Sequence, residues 1–153
     1  MYKGDTHVHS CFSMDSNEEL EKIFERTIEL GFDEITITDH MDCEEREEDD
    51  YFVFNIEDYL KTLNAYKQKY KGKLKIKIGM ELGIQPHTHK RFEEILKSDC
   101  YDFLIGSSHA VDGLDSSLSA LYKRFKNKDE LHRRYFEIIL ENIEKYDCIN
   151  TYG

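Results

Sequence analysis

Apolar and polar positions along this chain follow two different periods, and together they predict repeated strand–helix units. Between residues 73 and 82 every second residue is apolar, and the residues between them are lysine, glycine or glutamate. That period of two is typical of a strand with one packed face. Residues 129–145 instead repeat apolar side chains at the spacing of a helix, and the predicted core face consists of Leu131, Tyr135, Ile138, Ile139 and Ile143. The succession of such segments predicts an α/β fold, in which parallel strands are joined through helices by right-handed crossovers.

The predicted elements cover most of the chain. Strands are predicted over residues 3–9, 34–38, 73–82 and 101–107, with a further strand starting at residue 148. Helices are predicted between Ser16 and Gly31, between Asn55 and Gly72, and over residues 91–97 and 129–145. Ser16 with Glu19 forms a capping-box pattern at the first helix, and Asn55 is the predicted cap of the second. Residues 111–116 are predicted to form a loop.

The alternation in the third strand also sets the direction of Glu81. Successive residues of a strand point to opposite faces, so Glu81 lies opposite the apolar face that runs from Leu74 to Leu82. That apolar face would pack against helices. In a barrel the other face looks inward, so we expect the Glu81 carboxylate to point into the barrel.

Length and charge narrow the function classes. The chain has 153 residues, which suits one domain, and a formal charge of −11. A surface this acidic repels phosphate backbones, so nucleic acid is not expected as a partner. The charge is concentrated in residues 44–50, which carry six acids and one base. A solvated loop is the favoured interpretation of this run, and a lid beside His40 that concentrates cations is the alternative.

The cysteines and the hydropathy predict a cytoplasmic protein. The four cysteines form no Cys-x-x-Cys pair and resemble no disulfide framework, which is typical of reduced thiols in the cytoplasm. No apolar stretch approaches the ~20 residues needed to span a bilayer, so no membrane partner is expected. No signal peptide is recognised before the first strand.

The candidate chemistry is a set of metal ligands near the ends of the predicted strands. His7 and His9 are two residues apart on the first strand, so both rings point to the same face. Imidazole and carboxylate groups are borderline or hard ligands for divalent metals. Carboxyl ends of parallel strands are where α/β barrels place their sites. The full candidate set is His7, His9, Asp15, His40, Glu81 and His109.

Four motifs carry a family resemblance. They are Asp5-Thr6-His7-Val8-His9-Ser10 with Ser13-Met14-Asp15-Ser16, Ile37-Thr38-Asp39-His40, Gly79-Met80-Glu81-Leu82-Gly83 and Ile105-Gly106-Ser107-Ser108-His109. In this order they resemble the PHP-domain metallohydrolases (polymerase and histidinol phosphatase), and specifically the stand-alone histidinol-phosphatase branch. The resemblance implies one PHP domain over residues 1–153, folded as the N-terminal part of a distorted (β/α)7 barrel with parallel strands and outer helices.

The resemblance also implies a site for up to three divalent transition metals, which would be zinc, iron or manganese. His7, His9 and Glu81 would hold the first ion, Glu81 and His109 the second, and Asp15 and His40 the third. Glu81 would bridge two ions, because a carboxylate has two oxygens. Glu81 and His109 are therefore also the residues assigned to catalysis. Neighbouring divalent ions lower the pKa of a bridging water and stabilise a phosphoryl group under attack.

The family pattern continues past the motifs present here. A further histidine or cysteine and a later Asp-x-His pair are expected beyond residue 153, so we expect the chain to be truncated at its C-terminus. One ligand of each metal would then be missing, and the 153-residue chain would be inactive or weakly active. Five predicted strands cannot close a seven-stranded barrel, so self-association through uncovered edges is expected.

The implied function is hydrolysis of a small phosphate ester. L-histidinol phosphate would be converted to L-histidinol and phosphate, a step of histidine biosynthesis. Two alternatives stay open: a PHP phosphatase that acts on another small phosphate ester, and an incomplete metal-binding fragment without catalysis.

Overall fold

The protein is described by a computed structural model that covers residues 1–43, 53–97, 100–117 and 119–153. The acidic run at residues 44–50 lies outside the described residues, so its interpretation as a loop or a lid stays a prediction. Within the described residues the chain forms five α-helices, a short 3-10 helix at Pro86–Thr88 and eight strands. The helices are α1 Leu20–Glu29, α2 Ile56–Lys69, α3 His89–Ile95, α4 Ser119–Arg124 and α5 Lys128–Lys145. The strands are β1 Gly4–Val8, β2 Glu34–Ile37, β3 His40–Met41, β4 Lys75–Gly83, β5 Phe103–Ser107, β6 Ala110–Val111, β7 Leu114–Asp115 and β8 Thr151–Tyr152.

Six of these strands form one parallel sheet. Its order is β1-β2-β4-β5-β8, and β3 continues the pairing with β4 beyond the end of β2. The sheet curls into a partial barrel with helices packed outside it. The predicted α/β class, with parallel strands and outer helices, is confirmed. Because β4 lies at the centre of the order, its inner face is enclosed by neighbours on both sides.

Helices α1 and α2 cover the outer face of the first half of the sheet. The apolar face predicted for the third strand packs here, because Leu74, Ile76 and Ile78 lie in the same buried cluster as Phe24 of α1 and Leu63 of α2. Removing these side chains from water supplies roughly 1.5–3 kcal/mol for each fully buried residue.

A tyrosine of α2 joins this helix directly to two strands. Tyr59 is completely buried, and its hydroxyl lies 3.2 Å from the Ile37 carbonyl and 2.9 Å from the Gly79 carbonyl. Burial raises the pKa of the Tyr59 phenol well above its usual value, so the hydroxyl keeps its proton as a hydrogen-bond donor. Adjacent strands β2 and β4 are thus fixed by one side chain as well as by their own ladder.

The second half of the sheet packs against α3 and α5. Met80 and Leu82 of β4 share a buried cluster with Phe92 of α3 and with Tyr146, which follows α5. A fully buried polar residue, Asn142, lies among these elements on α5 and donates to the Ile84 carbonyl at 3.0 Å. No helix in the described part of the chain combines the length and the apolar character needed to cross a membrane.

The predicted start of the first helix is wrong. Helix α1 begins at Leu20, and Glu19 at the N-cap position makes no side-chain cap. The Ser16 hydroxyl instead lies 3.2 Å from the His9 carbonyl and so belongs to the loop that follows β1. The Asn55 cap of α2 is confirmed, because the Asn55 side chain accepts from the Asp58 amide at 2.9 Å.

Two further predictions near the C-terminal half are corrected. Residues 111–116 are not a plain loop, because β6 and β7 form an antiparallel hairpin there, with positive φ at Asp112 and Gly113. Asp-Gly is a favoured pair for such a tight turn. On α5, Ile143 was predicted in the core but is 51% exposed, whereas its neighbour Asn142 is buried.

Candidate metal centre

Glu81 is the centre of the site, and its strand explains its position. Glu81 lies near the carboxyl end of β4, on the face opposite the apolar residues, where the sheet curls inward. The residue is buried, with 4% of its surface exposed. In the sheet it lies beside His40 of β3 and Ile105 of β5, and its amide donates to the Asp39 carbonyl at 3.1 Å. The predicted direction of Glu81 is therefore confirmed.

Four histidines surround the two oxygens of this carboxylate. His7 Nε2 and His9 Nε2 each lie 3.0 Å from Glu81 Oε2, and His40 Nδ1 lies 3.4 Å from the same oxygen. His109 Nε2 lies 3.2 Å from Glu81 Oε1. The histidines come from the ends of β1 and β5 and from β3, so the parallel sheet brings three distant chain segments to one carboxylate.

Asp15 closes the site on the side of β1. Its Oδ2 lies 3.0 Å from His9 Nδ1 and 3.5 Å from His40 Nε2. His9, Asp15 and His40 each offer one ligand atom within 4.8 Å of the others, as His7, His9 and Glu81 also do. The structure thus brings together all six residues predicted as candidates, while their assignment to individual ions stays a prediction.

Asp42 is a site residue that the sequence reasoning missed. Its Oδ1 lies 2.8 Å from His109 Nδ1, and its Oδ2 lies 3.4 Å from His40 Nδ1. His40, Asp42 and His109 form a third group whose ligand atoms lie within 4.8 Å of one another. The signal was present, because Asp42 follows His40 at the same two-residue spacing that separates His7 from His9.

Gly83 makes room for Asp42. It lies on β4 two residues after Glu81, so both face the inside of the curled sheet. A Cβ at position 83 would overlap the Asp42 carboxylate and would lie 3.0 Å from His109 Nδ1. Glycine is therefore required at this position by the close approach of Asp42 rather than by its backbone conformation.

The carboxylates and imidazoles strongly perturb one another. Glu81 raises the pKa of His9 to about 9; burial opposes this and Asp15 adds to it. For His109, burial works against the charged form, but Asp42 and Glu81 together outweigh it and raise the pKa to about 10. Burial would raise the pKa of Glu81, yet His109, His9 and Ser107 hold it far below its ordinary value. The pKa of Asp42 is also lowered, because its contacts with His109 and His40 outweigh burial, so Glu81 and Asp42 remain charged and attract cations.

The donor set fits divalent metal ions. Four imidazoles and three carboxylates are nitrogen and oxygen ligands of the kind that zinc, iron and manganese take. His9 Nε2 is buried and lacks a hydrogen-bond partner among the described residues, although it lies 3.0 Å from Glu81 Oε2. Because His9 Nε2 and Glu81 Oε2 lie close together without the geometry of a hydrogen bond, both atoms are placed to bind the same cation.

A cavity of about 240 Å³ opens beside this cluster. His40, Asp42 and His109 line one part of it, and Asp115 and Ser116 of the β6–β7 hairpin and its exit line another. The hairpin is held in place by Gln85, whose side-chain oxygen accepts from the Gly113 amide at 3.1 Å. A small molecule in this cavity would contact both the candidate metal ligands and the hairpin.

Comparisons with known sequences place the chain among related proteins. The sequence model of the PHP domain matches residues 5–150. The histidinol-phosphatase of Lactococcus lactis subsp. lactis is 31% identical over 153 residues, which are 100% of this chain and 56% of that protein. The "Probable histidinol-phosphatase" of Clostridium acetobutylicum is 29% identical over 96% of this chain and 54% of its own length. The chain thus spans about half the length of these curated relatives.

A solved structure has the same fold. The crystal structure of histidinol phosphate phosphatase from Lactococcus lactis, complexed with zinc, L-histidinol and phosphate, matches with a TM-score of 0.87 at 31% identity. The match covers 99% of this chain and 57% of that chain. The predicted partial barrel agrees with this match.

The close approach at Gly83 generates one prediction. Gly83→Ala should displace the Asp42 carboxylate and remove the partner of His109 Nδ1, because the new Cβ would overlap Asp42. Loss of such supporting contacts costs roughly 10–100-fold in metal affinity, which competition with a chelator can measure. Gly4→Ala is the matched control, since a Cβ there makes only ordinary van der Waals contacts, with Glu34 at 3.8 Å and Tyr2 at 3.9 Å. Unchanged zinc affinity in Gly83→Ala would contradict the argument.

The histidine pKa values generate a second prediction. At pH 7 and without metal, His9 and His109 carry protons, because their pKa values are about 9 and about 10. A metal needs the neutral ring, so zinc binding should release about two protons per chain, and apparent affinity should rise from pH 7 to pH 9. Calorimetry in buffers of different ionisation enthalpy counts these protons. Zinc uptake at pH 7 without proton release would show that the rings are neutral beforehand.

Proposed function

The chain belongs to the PHP domain family, and from that premise we propose that it serves metal-dependent hydrolysis of a phosphate monoester, with L-histidinol phosphate as the substrate. The resemblance seen in the four sequence motifs is confirmed by the family match. The observation that carries the proposal is the convergence of four histidines on the buried Glu81 carboxylate. The names of the relatives and the zinc, L-histidinol and phosphate in the neighbouring structure support it.

The proposed ligands fall into three overlapping groups. His7, His9 and Glu81 form the first, and His9, Asp15 and His40 form the second. The third is His40, Asp42 and His109, which adds Asp42 to the ligands proposed from the sequence. Glu81 belongs to the first group through Oε2, and we propose that it is shared with the third group because its Oε1 lies 3.2 Å from His109 Nε2. Divalent ions bound here would supply an activated water and neutralise charge on the phosphoryl oxygens.

The chain's own residues would hold these ligands in fixed orientations. The Ser107 hydroxyl lies 2.7 Å from Glu81 Oε1 and donates to it, which fixes the carboxylate in its plane. Asp42 contacts His109 Nδ1, so the Nε2 of the same ring faces Glu81 at 3.2 Å. Such carboxylate–histidine pairs set the tautomer of a metal ligand and make it more basic. Glu81 and His109 are therefore the residues that we propose for catalysis.

The cavity beside the cluster would take the alcohol part of the substrate. Asp115 lines it, is partly buried, and is oriented by the Ser117 amide at 2.7 Å from its Oδ1. Both contacts from Ser117 reach Oδ1, and among the described residues Oδ2 is the oxygen open to a ligand. A carboxylate at the wall of the cavity favours a cationic group, and an amino alcohol such as histidinol carries an ammonium ion. We propose that Asp115 binds that group.

One alternative rests on the length of the chain. Because it spans about half of its curated relatives, a metal-binding protein without catalysis is the second candidate. The two candidates differ in whether the zinc-loaded or manganese-loaded protein releases phosphate from L-histidinol phosphate. They share the metal, so metal content alone does not separate them. A cytoplasmic location, the absence of nucleic-acid and membrane partners, and self-association through the sheet edges remain parts of the proposal.

The central role of Glu81 can be tested by activity. Glu81→Gln should lower the rate of phosphate release by ~10²-fold or more, because a carboxylate shared between ions helps to place the reactive water. Asp15→Ala should cost less, since Asp15 belongs to one ligand group and Glu81 contacts four histidines. Steady-state rates on L-histidinol phosphate at saturating metal compare the two variants. A near-normal rate in Glu81→Gln would remove Glu81 from the shared position, and no release by the unaltered protein would favour the non-catalytic alternative.

The role of Asp115 predicts a change in substrate preference. Asp115→Asn should raise KM for L-histidinol phosphate by about 10-fold or more, because it removes a charged hydrogen bond to the ammonium group. KM for glycerol phosphate, whose alcohol is uncharged, should stay the same. The matched control is Asp112→Asn on the same hairpin, whose carboxylate pairs with Arg134 at 2.8 Å instead of lining the cavity. Equal changes for both substrates would exclude recognition of the ammonium group.

A further inference from the structure

A buried carboxylate outside the ligand groups joins the loop that carries Asp15 to the start of β3, where His40 lies. Asp39 lies between β2 and β3 and is completely buried. Its Oδ1 accepts from the Ser10 amide at 2.5 Å and from the Ser13 hydroxyl at 2.9 Å, and its Oδ2 accepts from the Ser10 hydroxyl at 2.7 Å. Three hydrogen bonds thus tie this one side chain to the loop that follows β1.

The connection continues to His40 through the same loop. Ser13 Oγ donates to Asp39 and accepts from the His40 amide at 2.8 Å. Ser10 and Ser13 are themselves buried, so these contacts are shielded from water. Ser10 and Ser13 lie in the loop between His9 and Asp15. These two residues are the partners of His40 in the second ligand group. One carboxylate therefore fixes the loop of two of those ligands against the backbone of the third.

The backbone of Asp39 extends the connection to β4. Its carbonyl accepts from the Glu81 amide at 3.1 Å. The same residue thus contacts the segments that supply His9, Asp15, His40 and Glu81 without belonging to any of the three ligand groups itself. A buried charge is costly unless every hydrogen-bonding position is used, and an apolar residue would pack here at lower cost. The Asp39 carboxylate consequently has a role other than packing.

We propose that Asp39 is a positioning residue that sets the distance between the Asp15 loop and His40, so that His9, Asp15 and His40 can hold one metal ion. The proposal rests on the metal-binding part of the proposed function. Asp39 acts through Ser10 and Ser13 and does not bind the metal. Breaking its link should therefore affect the second ligand group, while His7, His9 and Glu81 keep their contacts.

The test uses two variants of the link and one control. Ser13→Ala removes only the hydroxyl between Asp39 and the His40 amide and leaves the buried carboxylate in place. Asp39→Asn keeps the shape of the side chain but places an amide among donors. Leu63→Ala is the control, because it removes a fully buried apolar side chain of α2 and lowers stability without touching the link. Ser13→Ala keeps the test available where Asp39→Asn does not fold.

The first measurement is amide hydrogen exchange of the metal-free protein. In Ser13→Ala the His40 amide should exchange roughly tenfold faster relative to the Ile78 amide of β4, because it loses its acceptor. In Leu63→Ala the ratio of the two rates should stay unchanged. An unchanged ratio in Ser13→Ala would overturn the link itself, and this arm does not depend on metal binding.

The second measurement is zinc binding in competition with a chelator. Ser13→Ala and Asp39→Asn should weaken one equivalent of zinc by ~10–100-fold, while a tighter equivalent keeps the affinity of the unaltered protein. Leu63→Ala should bind every equivalent normally despite its lower unfolding temperature. Faster exchange with unchanged zinc binding would overturn the positioning role, as would the same loss in Leu63→Ala. If the unaltered protein binds no zinc, the proposed function fails and the positioning of a metal fails with it, whereas the exchange arm still decides whether the link exists.

Discussion

The arrangement depends on one buried carboxylate that faces four imidazoles. Glu81 can occupy this position only because β4 is central in a parallel sheet, with β3 and β5 as its neighbours near the carboxyl end. Parallel pairing places the ends of β1, β3 and β5 at the same edge, so histidines that are distant in sequence reach the same two oxygens. A register shift of one residue in β4 would turn Glu81 into the apolar outer layer and separate it from the histidines.

The inner and outer faces of β4 impose opposite requirements on its sequence. On the outer face Ile76, Ile78, Met80 and Leu82 must be large, because helices pack against them. On the inner face the curl of the sheet leaves little space around Glu81. The residues two positions before and after it are therefore glycines, and a Cβ at Gly79 would lie 2.7 Å from the Phe103 carbonyl. The alternation along one strand thus specifies both the core and the space for the site.

The parts of the fold with long patterns could be predicted from the sequence, and the parts with short patterns could not. The period of two in β4 predicted the face of Glu81, and the strand ends predicted the six candidates. Asp42 was missed because β3 has only two residues, too few to show any alternation. The predicted start of α1 is wrong because the Ser16 hydroxyl contacts the His9 carbonyl. A capping pattern read from neighbouring residues does not include this contact. The core position predicted for Ile143 of α5 is wrong because the adjacent Asn142 is buried instead. Periodicity does not show that an asparagine can be buried when its amide donates to a backbone carbonyl.

The charge balance of the site bears on the proposed phosphate chemistry, because a strongly acidic protein repels phosphate esters. Asp15, Asp42 and Glu81 bring three negative charges to the cluster, in a chain whose formal charge is −11. Without metal, protons on His9 and His109 offset part of this charge, which is why their pKa values are high. One divalent ion in place of those protons would leave the cluster negative, and a phosphate dianion would be repelled. Two or more ions would make it positive. The number of carboxylates therefore supports our proposal of several ions, because only then would the same cluster both hold its metals and attract the proposed phosphate ester.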